Sequence, residues 1–316
     1  MGLLIVLILT DILTPVVLRQ HFFTVSKAKY YISIIIHIIL SLWLWILFFE
    51  ITCYKGIFDN PRHIWLLMSL TGMICAVVAP RIILIIFHFS GRLARSKSGG
   101  HLRWLTNTGM ILMVVIFSII AFAPFYGRFN FKTEAVTIKI KGLNKDLDGL
   151  KIVQLSDMHL AGFYHHRRVL QKVMEKVNTY KPDLILNTGD FVSYGWREFG
   201  RNDTILSIAK SRYGNFAILG NHDFGTYDPF FTEADRDNNV LLLNKLIESS
   251  GYKVLNNEYT KVKIGNAIIG IIGVTTKGRH TNLIHGDITK AIAGLYSVDI
   301  KILLSHDPNH WEEALT

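Results

Sequence analysis

At 316 residues the chain has room for two domains; half of its residues are apolar and the mean hydropathy is +0.31, high for a soluble protein. Residues 1–126 carry ten Lys and Arg against three Asp and Glu, whereas residues 127–316 carry 24 against 21. Most of the basic excess therefore flanks apolar segments, the pattern of a membrane boundary rather than of a nucleic-acid surface. The only cysteines, Cys53 and Cys75, both lie in the first half, which excludes a disulfide framework and a zinc-finger spacing.

A bilayer core takes about 20 apolar residues as a helix. Residues 1–126 are predicted to form a transmembrane domain of about four helices, 3–18, 30–49, 64–89 and 104–125. Leu3–Leu18 is the shortest and is interrupted by Asp11 and Pro15. It lacks the basic leader and small-residue cleavage pattern of a signal sequence, so it reads as a first span. Tyr30–Phe49 (YYISIIIHIILSLWLWILFF) is uninterrupted. Ile64–Phe89 is longer than needed and contains Pro80-Arg81; Arg81 lies toward one end and is expected to snorkel to the headgroups. Trp104–Phe125 has Trp104 and Tyr126 as interfacial aromatics at its ends.

The loop Arg19–Lys29 carries Arg19, Lys27 and Lys29, and the loop Ser90–Arg103 carries Arg92, Arg95, Lys97 and Arg103. The loop Glu50–His63 balances Lys55 and Arg62 against Glu50 and Asp59. Positive loops stay in the cytoplasm. The reading is an integral membrane protein of a bacterial inner or cytoplasmic membrane. Everything after Tyr126 is predicted to face the periplasm or the exterior.

Beyond residue 130, short β-branched runs alternate with amphipathic stretches, the pattern of an α/β domain. Strands are predicted at Val136–Ile140, Lys151–Leu155, Leu184–Asn187, Phe216–Leu219, Lys261–Ile264, Ala267–Gly273 and Ile300–Leu304. Helices are predicted at Arg167–Tyr180, Thr204–Lys210, Asn239–Ser249 and Ile288–Leu295. Four strands run into polar groups: Ser156-Asp157-Met158-His159, Thr188-Gly189-Asp190, Gly220-Asn221-His222-Asp223 and Ser305-His306-Asp307. In open α/β sheets the ligand site lies beyond the carboxyl ends of the strands, so four such ends can converge. Carboxylate oxygen and imidazole nitrogen suit divalent Mn, Fe, Zn or Ni, and the lack of thiolates argues against structural zinc.

Asp157-x-His159, Gly189-Asp190 and Gly220-Asn221-His222-Asp223, followed by His306 after an apolar strand, resemble the motifs of the calcineurin-like metallophosphoesterase family. The intervals are 33, 31 and 85 residues between Asp157, Asp190, Asn221 and His306. With the preceding spans, "SDMHL", "TGDFV" and "GNHD" are similar to a membrane-anchored bacterial branch that includes enzymes resembling UDP-2,3-diacylglucosamine pyrophosphatase. The resemblance implies a layered β-sandwich flanked by helices over residues 127–316. It implies that Asp157 and His159 bind one of two divalent metal ions, that Asp190 bridges both, and that Asn221 and His306 bind the second. His222 would sit beside the substrate, with Asp223 either orienting it or capping the following turn. The implied activity is hydrolysis of a phosphodiester or pyrophosphate bond in a phosphorylated small molecule or a lipid- or envelope-linked substrate. The alternative is an inactive phosphoesterase-like binding domain on a membrane anchor. A third reading puts the function in the helices, against which stands their scarcity of polar groups: Asp11, His37 and Arg81 stand out.

Two departures from the family pattern bear on the site. Ser193 stands where many members carry an acidic residue or Asn that orients the site histidine. The Gly-His-x-His segment expected after His306 has no counterpart up to Thr316, so the domain is expected to be C-terminally incomplete; His310 is the only later histidine. Three weaker features have two readings each. His165-His166-Arg167-Arg168 is a phosphate-recognition patch or a solvated helix start. His280 and His285 approach substrate or are exposed loop residues. Phe224–Arg236 covers an acyl or sugar group or is a plain loop.

Overall fold

The four apolar stretches fold as helices in a computed structural model that describes residues 2–53, 58, 60–94, 102–276 and 285–308. They are α1 (Gly2–Phe22), α2 (Lys27–Cys53), α3 (Pro61–Leu93) and α4 (Arg103–Gly127). Each is long and apolar enough to cross a membrane, with a mean hydropathy of 2.1 to 2.5 over its most apolar window. At about 1.5 Å of rise per residue, even the 21 residues of α1 cover the hydrocarbon thickness. Pro15 and Pro80 lie inside α1 and α3. Contacts divide the chain into two compact units, Met1–Lys55 with Leu66–Lys132, and Gly56–Trp65 with Thr133–Thr316.

Arg81 does not snorkel. It is 4% exposed, and its Nη1 donates to Asp11 Oδ1 at 2.8 Å. Its Nη2 donates to Ser41 Oγ (3.0 Å) and to the His37 carbonyl (3.3 Å). Asp11 also accepts from Ser41 Oγ and from Trp45 Nε1, each at 2.6 Å. An ion in hydrocarbon is tolerated when paired and hydrogen-bonded, so the interruption at Asp11 is the partner that keeps Arg81 inside. A second polar node joins α1, α3 and α4: His88 meets Gln20 Oε1 through Nε2 (2.9 Å) and Thr106 Oγ1 through Nδ1 (3.1 Å).

The second unit is a layered α/β domain. Strands β1 (Ile152–Leu155), β2 (Leu184–Asn187), β3 (Asn215–Ala217) and β4 (Tyr252–Val254) form a parallel sheet in the order β1-β2-β3-β4. Strands β5 (Glu258–Ile264), β6 (Ala267–Val274) and β7 (Ile300–Ser305) form a second sheet, β5 antiparallel and β7 parallel to β6. Side chains alternate faces along a strand. Leu184 and Leu186 of β2 thus meet Ile269 and Ile271 of β6 in the core between the sheets. Ile185 points the other way, into a core with Leu170 and Met174 of α5 (Arg167–Thr179) and Leu243 and Ile247 of α7 (Glu233–Ser249). Ile272 and Val274 of β6 face Ala291 of α8 (Ile288–Ile292) on the far side. All four residues of β2 are buried, which is why it reads as a continuous apolar run.

Several predicted boundaries move. Val136–Ile140 has the alternation of a strand but no ladder partner among the described residues, and Val136 and Ile138 are 82% and 76% exposed. A strand is completed by a neighbour's backbone groups, which local sequence does not supply. Strand β4 is only three residues long and carried no signal of its own. The predicted helix Thr204–Lys210 shrinks to one turn, α6 (Asp203–Leu206). Helix α7 begins at Glu233 because Thr232 and Asp235 form a capping box, so the end of the Phe224–Arg236 stretch is helix rather than loop.

Removing one partner of the α1–α3 ion pair strands the other in an apolar bundle. Arg81→Met is expected to lower the unfolding free energy of the detergent-solubilised chain by about 2 kcal/mol. The double substitution Asp11→Leu, Arg81→Met is expected to recover most of it. Thermal unfolding of the three proteins checks this, and a double mutant no more stable than the single one would contradict the pairing argument.

Candidate metal centre

The four polar strand ends lie together at one end of the domain, stitched by backbone hydrogen bonds. After β1, the Asp157 N–H donates to the Gly189 carbonyl (3.0 Å) and the His159 N–H to the Asp190 carbonyl (3.1 Å). Asp157, His159 and Asp190 have φ of 53°, 42° and 58°. This left-handed region is unfavourable for residues with a Cβ and is held only where surrounding structure enforces it; such residues cluster at functional sites.

The turns after β2 and β3 touch backbone to backbone. Gly189 has φ of 99°, and a Cβ on it would lie 2.3 Å from the Gly220 nitrogen. A Cβ on Gly220 would lie 2.2 Å from Asp190 Oδ1. Both motif glycines are therefore required by space. The turns are joined by Asp223, which is 0% exposed. Its Oδ2 accepts the N–H of Asp190 (2.8 Å) and of Gly220 (3.0 Å), and its Oδ1 accepts that of Val192 (3.1 Å). Burial, then the Asp190 charge, push the Asp223 carboxyl up to about 8 despite those donors. The carboxylate is engaged with backbone amides rather than with the His222 ring.

Asp190 is 2% exposed and is the common member of two donor groups, Asp157/Asp190/His306 and His159/Asp190/His222. Within each group the ligand atoms lie within 4.8 Å of one another. Asp157 shares one group with His306, and His159 shares the other with His222. Asp190 Oδ2 is 3.4 Å from His306 Nε2 and 3.8 Å from His159 Nε2, longer than a charge-assisted hydrogen bond. Two ligands of one tetrahedral ion, each about 2.1 Å away, stand about 3.4 Å apart. Donor chemistry and spacing both fit a divalent cation.

Each histidine is aimed by its other nitrogen, as is usual for metal-site imidazoles. His306 Nδ1 donates to the Thr188 carbonyl (2.9 Å) and His222 Nδ1 to the Ser193 carbonyl (2.8 Å). His159 Nδ1 meets Ser193 Oγ at 3.0 Å. Ser193 therefore serves both rings of a pair whose centroids are 5.0 Å apart. The missing acidic residue is replaced by a hydroxyl for His159 and a backbone carbonyl for His222. The Asn221 side chain donates to Tyr227 Oη (2.8 Å), and the Tyr227 ring stacks on His222 with centroids 4.1 Å apart.

Burial pulls the His306 imidazole down, but the Asp190 carboxylate beside it wins and lifts it to about 9. Burial disfavours ionised Asp190 in turn, and His306 outweighs it, so the Asp190 carboxyl titrates below its usual range. Burial lowers His159, which favours a neutral, ligating ring.

Sequence reasoning missed Tyr227 and Glu198. Glu198 is 1% exposed in a 3-10 turn, Trp196–Phe199, and burial raises its carboxyl to about 7. Neither residue sits in a motif; Tyr227 lay inside the stretch read as a loop. Of the weaker features, Arg167 Nη2 donates to the Arg201 carbonyl, and the His285 ring stacks on Phe224 at 4.0 Å. His280 and His310 lie outside the described residues.

Residues 150–315 match the family model described as Calcineurin-like phosphoesterase. Over 282 residues the chain is 29% identical to a Danio rerio transmembrane protein with metallophosphoesterase domain, covering 83% of this chain and 60% of that protein. It is 30% identical over 181 residues to a Campylobacter jejuni metallophosphoesterase, covering 56% of this chain and 42% of the other. Over 82 residues, 26% of this chain and 25% of the relative, it is 39% identical to UDP-2,3-diacylglucosamine pyrophosphatase of Chlamydia muridarum. The chain thus spans about two fifths to three fifths of the length of the first two relatives.

Two outcomes follow from the geometry. The metal-free chain holds His306 protonated against Asp190, and that stabilisation, full below the unfolded histidine value of 6.5, fades as pH rises through about 9. A cation must displace the proton, so Mn²⁺ affinity measured by calorimetry is expected to rise by about tenfold per pH unit below pH 9, with proton release. A flat affinity from pH 6 to 8 would contradict this. Gly220→Ala forces a methyl against Asp190 and is expected to cost about 2 kcal/mol of stability and at least about tenfold in Mn²⁺ affinity.

Proposed function

The chain belongs to the calcineurin-like phosphoesterase family, and from that premise we propose that it is a membrane-anchored enzyme hydrolysing phosphodiester or pyrophosphate bonds at two divalent cations. The observation that carries the reading is the convergence of Asp157, His159, His222 and His306 on buried Asp190. Asp157, His159, Asp190, Asn221 and His306 would hold the cations, with buried Asp190, the member common to both donor groups, as the shared ligand. Divalent cations supply Lewis acidity toward phosphoryl oxygens and make water acidic enough to attack near neutral pH. Metal identity is left open by a donor set of oxygen and imidazole nitrogen.

The chain's own groups do the rest. His222, with its Nδ1 proton committed to the Ser193 carbonyl, presents Nε2 toward the reacting group. There, as the imidazolium, it would stabilise or protonate the leaving oxygen through its Nε2 proton and end as the neutral Nδ1–H ring. Asn221 gives its amide protons to Tyr227, which leaves the amide oxygen as the ligating atom. Asp223 is a positioning residue, since its carboxylate sets the distance between the Asp190 and Asn221 turns.

The anchor and one relative support a lipid- or envelope-linked substrate. Four membrane-crossing helices concentrate the site near lipid-linked or envelope substrates. The Chlamydia relative's name points to a pyrophosphate bond beside acyl chains. The loop charges support a domain on the outer face of a bacterial inner membrane.

The test is hydrolysis of bis(p-nitrophenyl) phosphate by the purified full chain with Mn²⁺. Asp190→Asn is expected to abolish turnover. His222→Ala is expected to lower kcat about 10²- to 10⁴-fold while Mn²⁺ still binds. Wild-type chain that binds Mn²⁺ yet hydrolyses neither this ester nor a nucleotide pyrophosphate would overturn the enzymatic reading in favour of a binding domain.

A further inference from the structure

Glu198 is almost wholly buried, yet the proposed reaction does not use it. Its Oε2 accepts the N–H of Ser193 at 2.8 Å, and its Oε1 accepts those of Tyr194 and of Gly195, the latter at 3.2 Å. Three successive amides point inward to one carboxylate, in a place where an unmade backbone hydrogen bond is costly. The next amide, of Trp196, donates to Asn239 Oδ1 at 2.7 Å, and Asn239 Nδ2 donates to the Asp223 carbonyl at 2.8 Å. The turn is therefore held from two sides, and Asn239 ties it to the segment that carries His222.

This turn aims both site histidines. Ser193 Oγ meets His159 Nδ1, and the Ser193 carbonyl accepts from His222 Nδ1. We propose that Glu198 is a positioning residue that fixes the ring directions and tautomers of His159 and His222 together by holding the Ser193–Gly195 turn. The consequence for turnover rests on the phosphoesterase reading; the consequence for the rings does not. A carboxylate with three amide donors is a stiff fixed point, and a shift of about 1 Å in the Ser193 carbonyl removes a 2.8 Å hydrogen bond. Charge-assisted bonds to Glu198 thus act on the rings through a single residue of backbone.

The experiment uses the full chain in detergent micelles, labelled with ¹⁵N-histidine and metal-free at pH 8. His222 resonances are assigned by their loss in His222→Gln. In wild type, His222 is expected to carry its proton on Nδ1 with slow solvent exchange. In Glu198→Ala, that resonance is expected to move toward a tautomer mixture and to exchange at least about tenfold faster. With Mn²⁺ and bis(p-nitrophenyl) phosphate, kcat is expected to fall about 10²-fold with KM within about twofold. Glu198→Gln keeps one carbonyl acceptor and is expected to recover part of both effects. Ser193→Ala spares the backbone carbonyl, so it is expected to leave the His222 resonance in place and to weaken Mn²⁺ binding through His159.

A Glu198→Ala chain with wild-type His222 resonances and kcat, but a lower Tm, overturns the proposal and leaves Glu198 a stabilising residue only. If Glu198→Ala does not fold, Glu198→Gln decides, and unchanged His222 resonances in it overturn the proposal. If wild type shows no hydrolysis while Glu198→Ala still releases the His222 ring, the positioning role stands and the phosphoesterase reading falls.

Discussion

The site depends on how closely the turns after β2 and β3 approach. They meet glycine to glycine, at a separation that no side chain on Gly189 or Gly220 would allow. Bringing two backbones together without water leaves their amides in need of acceptors. The buried Asp223 carboxylate takes three of them and so sets the distance between Asp190 and Asn221. Hydrogen bonds from Asp157 and His159 then attach the loop after β1 to the turn after β2. The left-handed backbone of Asp157, His159 and Asp190 is strain that this network sustains.

Around that frame the histidines are aimed one nitrogen at a time. An imidazole that gives its Nδ1 proton to a carbonyl has only Nε2 left for a metal or a substrate oxygen. The Thr188 carbonyl does this for His306 and the Ser193 carbonyl for His222. Because a backbone carbonyl is present whatever the side chain, a serine at position 193 is compatible with an oriented His222. Its hydroxyl is then free to serve His159. Electrostatics reinforce the arrangement: the His306 imidazole and the Asp190 carboxylate each favour the other's charged form, against burial that opposes both.

The helical unit solves a comparable problem in a poorer solvent. Asp11 and Arg81 are 70 residues apart in sequence, yet each is the reason the other can lie among apolar helices. Ser41 and Trp45 complete the coordination of the Asp11 carboxylate. A charge inside a membrane span is often a sign of transport. Here the described partners satisfy both ions, and the pair ties α1 to α3.

The sequence by itself determined the four apolar spans, the alternation of strands and helices beyond them, and the ligand residues at the strand ends. These are local signals: length of apolar run, period of side-chain burial, and short motifs whose residue types are demanded by chemistry. It also marked Asp11 and Arg81, but as separate interruptions, because the energy of an ion pair depends on a distance that sequence separation does not encode. The lack of a ladder partner for Val136–Ile140 among the described residues, the three-residue β4 and the extension of α7 were decided by the rest of the fold. So were the roles of Ser193, Glu198 and Tyr227. A serine, a glutamate and a tyrosine in a loop have no pattern until a buried turn brings their donors and acceptors within about 3 Å of the residues they hold. Tertiary structure alone decided that the aspartate of the Gly-Asn-His-Asp motif serves backbone amides rather than its neighbouring histidine, because only a desolvated turn leaves three amides with no other acceptor.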